Sequence, residues 1–124
     1  LLIKETLLQA QDYLPNLKEG LLETSALLTG GKENLGYQKY QMCINGIEWY
    51  TDVLQKITSL ISDDQLQENG EKLLEAFSKS VARAMVSFQN EDVDYFSDIL
   101  EVELAEYIDD FILLNDKMLT EYAG

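Results

Sequence analysis

Apolar residues recur along the chain at steps of three and four, and nowhere alternate long enough to mark a strand. The first such run spans about Ile3 to Leu28 and turns Leu7, Ala10, Leu14, Leu17, Leu21, Ser25 and Leu28 to one side. Pro15 falls inside it. An internal proline removes a helical hydrogen bond and costs about 3 kcal/mol unless it occupies a first turn. With Asp12 able to cap a new start, the pattern predicts a first helix kinked or broken near Asp12–Pro15. Gly30-Gly31 ends the run as a left-handed cap would.

A second run opens at Asn34, a good N-cap, and reaches Ile61, with Tyr37, Tyr40, Ile44, Ile47, Thr51, Leu54 and Ile61 in one stripe. Ser62-Asp63-Asp64 supplies turn and cap residues before a third run over residues 65–89, carried by Leu66, Gly70, Leu73, Phe77, Val81, Ala84 and Phe88. The fourth, residues 93–122, follows Asn90-Glu91-Asp92 and faces inward through Phe96, Leu100, Tyr107, Phe111, Leu114 and Met118. Four long amphipathic segments with short connections read as one all-α domain over residues 1–124, an antiparallel up-down four-helix bundle.

Charge narrows the functions open to such a bundle. Twenty-three acids against nine bases leave a net charge of −14, which argues against direct binding of nucleic acid. There is no histidine, so His-based triads and the usual zinc or haem ligands are missing, and neither a metal nor a cofactor is expected. Gly30-Gly31-Lys32 lacks the spacing of a phosphate-binding loop, and Arg83, the one arginine, is expected on the outer side of the third helix. No catalytic residues are expected, and the protein is read as a non-enzyme. Cys43, the one cysteine, lies among Met42, Ile44 and Ile47 and is expected to pack as a small hydrophobe. No apolar run is long enough for a membrane span, and Leu1-Leu2-Ile3-Lys4-Glu5 lacks the features of a signal peptide. The expectation is a cytoplasmic chain, processed or trimmed at its start.

Three features could carry a function. From Glu91 onward the chain holds eleven acids and one base, Lys117, and Asp94, Asp98, Glu101, Asp109 and Asp116 gather on the side of the last helix opposite Leu100 and Tyr107. That side is a solvated face, a surface for a basic partner or a mimic of a nucleic-acid phosphate array, or a weak site for divalent cations. Glu103 falls within the apolar arc of the same helix: either it lies at the edge of that arc and reaches water, or it is a buried carboxylate that needs a partner such as Tyr37, Tyr40 or a lysine. The second helix carries a second stripe of Met42, Trp49, Val53 and Leu60, residue types suited to anchoring another chain. Gly46 and Gly70 sit inside helices at a cost of about 1 kcal/mol each, which close helix approach would offset.

Ile44-Asn45-Gly46-Ile47-Glu48-Trp49 and the stretch Asp94-Tyr95-Phe96-Ser97-Asp98-Ile99-Leu100-Glu101-Val102-Glu103-Leu104 resemble a family of small, uncharacterised helical proteins of Gram-positive bacteria. The likeness covers about residues 20–110. It implies a bacterial cytoplasmic bundle and brings no activity with it; Gly46, Trp49, Asp98, Glu101 and Glu103 are the positions it matches. The length, acidity and helical pattern are also similar to those of flagellar export chaperones, in which Tyr37-Gln38-Lys39-Tyr40 would correspond to a tyrosine pair.

These readings converge on a protein-interaction module, an adaptor or chaperone-like bundle, that binds a protein partner or a second copy of itself through Met42, Trp49, Val53 and Leu60. The alternative is an acidic inhibitor or nucleic-acid mimic that captures a basic protein on the last helix.

Overall fold

The computed structural model describes residues 2–123 as four long helices with no strand among them. Helix α1 spans Ile3–Thr29, α2 Glu33–Thr58 and α3 Asp64–Gln89. The fourth rod is continuous but composite: α4 (Val93–Asp98), a π-helical turn (Ile99–Leu104) and α5 (Ala105–Ala123). The backbone of each rod runs close beside two others. Helix α1 packs on α2 and the fourth rod, α3 packs on the same two, and α2 stands diagonally across from the fourth rod. Short connections between successive rods make this the up-down arrangement that the periodicity implies.

The seven inward residues of α1 are all buried, and Leu14, Leu21, Leu54, Ile57, Phe77, Ile99, Leu100 and Phe111 lie at the centre. Edge-to-face aromatic pairs tie the rods across the core: Tyr50 meets Phe111 at 5.2 Å, Phe111 meets Phe77 at 5.0 Å, and Tyr40 meets Phe96 at 4.8 Å between ring centres. Each such pair adds about 0.5–1.5 kcal/mol beyond the area it buries.

The helix ends follow from local chemistry. Gly31, at φ +80°, lets the Lys32 and Gly31 amides fold back onto the Leu27 and Leu28 carbonyls at 2.8 and 3.2 Å, closing α1 in a Schellman motif. Helix α3 closes the same way, with Asp92 and Glu91 donating to Ser87 and Phe88 at 3.0 and 3.1 Å, but here Glu91 takes the left-handed position at φ 57°. The Asp63 carboxylate caps α3, accepting from the Gln65 and Leu66 amides at 2.9 and 3.1 Å.

Two expectations about boundaries are corrected. Helix α1 runs unbroken through Pro15, and Asp12 caps no new start. Pro15 and Gln11 both lie on the exposed side, so the Gln11 carbonyl that loses its helical donor faces water, and the helix continues where a break was expected. Helix α2 begins one residue before Asn34 and ends at Thr58. Leu60 therefore belongs to the turn beyond the helix, 56% exposed.

The π turn accommodates one extra residue. Along the α1 seam, Gln11, Lys18 and Ser25 donate to Asp116, Asp109 and Glu101 at 3.5, 2.8 and 3.4 Å. The donors advance by seven and seven, the acceptors by seven and then eight, and the wider turn over Ile99–Leu104 takes up the difference.

Candidate functional site

Close approach of α1 and α2 depends on residues without bulk. A β-carbon added to Gly20 would lie 3.0 Å from Cys43 Sγ, and one added to Gly36 would lie 2.7 Å from Leu28 Cδ2. At Gly46 the space is already filled by the Tyr13 phenol, which lies over the α2 backbone. Trp49, one turn further along α2, meets the Tyr13 ring at 85° with ring centres 5.6 Å apart. Gly70 plays the corresponding part between α3 and α2, where a β-carbon would lie 2.6 Å from Thr58 Cγ2.

Outside this seam lies a groove of about 540 Å³, walled by Gln9, Asp12, Tyr13 and Asn16 of α1 and by Met42, Asn45, Gly46 and Trp49 of α2. A smaller hollow of about 210 Å³ shares Tyr13, Asn16 and Met42 with it and ends at Gly20, Lys39 and Cys43. Lys39 pairs there with Glu23 at 3.1 Å. Burial raises the Cys43 thiol and, with the neighbouring Cys43, the Tyr13 phenol, so both stay protonated at neutral pH. A second hollow, about 760 Å³, opens between α2 and α3, but it presents Glu71, Glu75 and Lys79 and no aromatic ring.

The expected anchor stripe is split by the structure. Met42 is 64% exposed and Trp49 half-buried, and both line the α1–α2 groove. Val53 is 7% exposed and packs in the core, so it is no surface anchor. Leu60, beyond the helix end, sits apart from the groove, and its carbonyl accepts from the Tyr122 hydroxyl at 3.4 Å. The buried arc of α2 has turned toward Gly36, Cys43, Gly46 and Tyr50, because α2 seats against α1 on its smallest residues. Gln9, Asp12, Tyr13, Asn16 and Asn45 are the groove residues that sequence reasoning did not assign to it; four of them stand on α1, and no pattern on α2 alone points to a wall supplied by that helix.

The acidic residues Asp94, Asp98, Glu101, Asp109 and Asp116 are all exposed. Three of them, Glu101, Asp109 and Asp116, accept from α1 and so serve the seam between rods. Glu103 is not a buried carboxylate. Its side chain is 32% exposed and paired with the Arg83 guanidinium, while Ser80 Oγ donates to it at 2.8 Å. The hydrogen bond from Arg83, with help from Ser80, holds its pKa below the usual glutamate value. Of the two sequence readings the structure therefore bears out the edge position, and the partners are Arg83 and Ser80 of α3, not Tyr37, Tyr40 or a lysine. Arg83 is on the outer side of α3, as its spacing implies, and its long stem reaches across.

Among the described residues no cluster of His, Cys, Asp or Glu is placed to hold a metal, and no helix is long and apolar enough to cross a membrane. What the geometry offers is a groove with an aromatic and thioether lining and an amide rim, carried on an all-α four-helix bundle. The chain matches, over residues 5–113, a family described as a domain of unknown function, DUF8042, and belongs to it. No curated protein and no solved structure is matched by the chain.

Proposed function

We propose that the protein is a non-enzymatic interaction module, an adaptor or chaperone-like bundle of the bacterial cytoplasm, that holds a segment of a protein partner in the α1–α2 groove. One observation carries this reading: Met42, 64% exposed, stands beside Trp49 at the mouth of a groove floored by Gly46. Trp, Tyr and Met are the residue types that concentrate binding energy at interfaces. The groove walls are rigid helices, so little ordering accompanies binding. Capture of a basic protein on the fourth rod has less support, since three of its five acids already serve the contact with α1.

The test is capture from the source lysate by the wild type and by Met42→Glu, washed at about 150 mM and then about 1 M salt, the range over which exposed charges become screened. A partner retained by the wild type through the high-salt wash and lost by the variant supports the groove. A partner held equally by both proteins, or one that leaves with salt, places binding elsewhere and overturns the proposal.

A further inference from the structure

The groove is chemically one-sided. Its walls present two aromatic rings whose planes stand at 85°, the Met42 thioether, the side-chain amides of Gln9, Asn16 and Asn45, and a single charged group, Asp12. No lysine or arginine lines it, and Asp12 forms no ion pair among the described residues. Aromatic faces, thioether sulfur, amide oxygens and a carboxylate are all electron-rich. They favour a cation.

We infer that the groove is a receptor for an arginine side chain on the partner, its stem on Met42 and Trp49 and its guanidinium between the aromatic corner and Asp12. This rests on the reading of the groove as a partner site and names what enters it. Arginine fits better than lysine for two reasons. The guanidinium is planar, so it can lie on a ring face, and it is more weakly hydrated than an ammonium group, so leaving water is easier. Its fork of N–H donors can also engage the Asp12 carboxylate and a rim amide together. Gly46 is what leaves the corner open, because Tyr13 folds down over it instead of standing into the groove.

Trp49 is the one tryptophan of the chain, so its emission reports on the groove alone. The experiment titrates the protein at constant ionic strength with N-acetyl-arginine amide, N-acetyl-lysine amide and N-acetyl-norleucine amide. The expected result is a saturable change with the arginine probe at roughly millimolar half-saturation, a weaker one with lysine and none with norleucine. Asp12→Asn, at an exposed position and checked for an unchanged circular dichroism spectrum, should weaken the arginine probe about three- to fivefold. Equal binding of norleucine and arginine, or no effect of Asp12→Asn, makes the groove a plain apolar seat; the inference then fails and the interaction module stands. No saturable change with any probe up to about 50 mM also overturns the inference, and leaves the partner reading to be decided by the capture with Met42→Glu.

Discussion

The phenolic oxygen of Tyr13 occupies the place that a β-carbon on Gly46 would need, so a tyrosine of α1 rests directly on the backbone of α2. The relationship explains why a helix-weakening residue sits in the middle of α2, and it fixes the angle at which Trp49 meets Tyr13.

Gly46→Ala sets two effects against each other. Alanine raises helix propensity by about 1 kcal/mol, whereas expelling the Tyr13 ring is an overpacking error that costs about 1–3 kcal/mol. The expected outcome in urea titration is a net loss of stability, together with a changed Trp49 emission as the edge contact breaks. Combining the change with Tyr13→Ala should recover part of the loss. A stabilised single variant would show that Tyr13 moves aside freely.

Glu91 occupies a backbone conformation that side chains rarely adopt, at the position where α1 uses Gly31. A left-handed non-glycine residue costs roughly 1–2 kcal/mol. Glu91→Gly should therefore stabilise the fold by about 1 kcal/mol, and Gly31→Ala should destabilise it by a similar amount, both read from denaturant midpoints at unchanged slope.

If the π turn houses one residue more than the seam with α1 requires, deleting exposed Val102 converts it to ordinary α-helix and leaves both flanks in register. The expected melting temperature lies within about 5 °C of the parent, the shift that about 1 kcal/mol produces in a domain of this size. Deleting Leu113, which is equally exposed but lies in regular α5, swings every later residue by about 100° and should abolish cooperative unfolding. Equal damage from the two deletions would refute the extra-residue account.

The pairing of Arg83 with Glu103 makes a pH-dependent contribution of definite sign. Because the folded Glu103 pKa lies below its ordinary 4.5, the stabilisation is fully present above that value and is lost as pH falls through the lower, folded one. Wild type should be more stable than Arg83→Gln at pH 7, and the two should converge as the pH falls through the lowered, folded pKa of Glu103. A difference that stays constant with pH would assign the effect of Arg83 to the packing of its stem instead.

The sequence disclosed the rods better than their faces. The buried face of helix α1 was legible in full because its inward positions are mostly leucines at regular steps, but its continuity through Pro15 was not, since that rests on the proline lying toward water. Helix α2 was misread by a rotation. Its hydrophobic stripes compete, and the residues that decide between them, Gly36, Cys43 and Gly46, count for little on any hydropathy scale because their contribution is the absence of bulk. That rotation sends Val53 inward and leaves Met42 outside. For Glu103 the helical wheel left edge and core both open, and its partner was out of reach because Arg83 belongs to another helix. The groove lay beyond reach because half of it belongs to α1, and its pairing with α2 is a tertiary fact.

The diagonal placement of α2 and the fourth rod gives the molecule an electrical front and back. Of the net −14, about −10 resides from Glu91 onward, and that rod stands across the bundle from the helix that carries Met42 and Trp49. On a positively charged support the protein should lie down on its fourth rod and turn the α1–α2 face to the solution, an orientation set by the fold and requiring no tag.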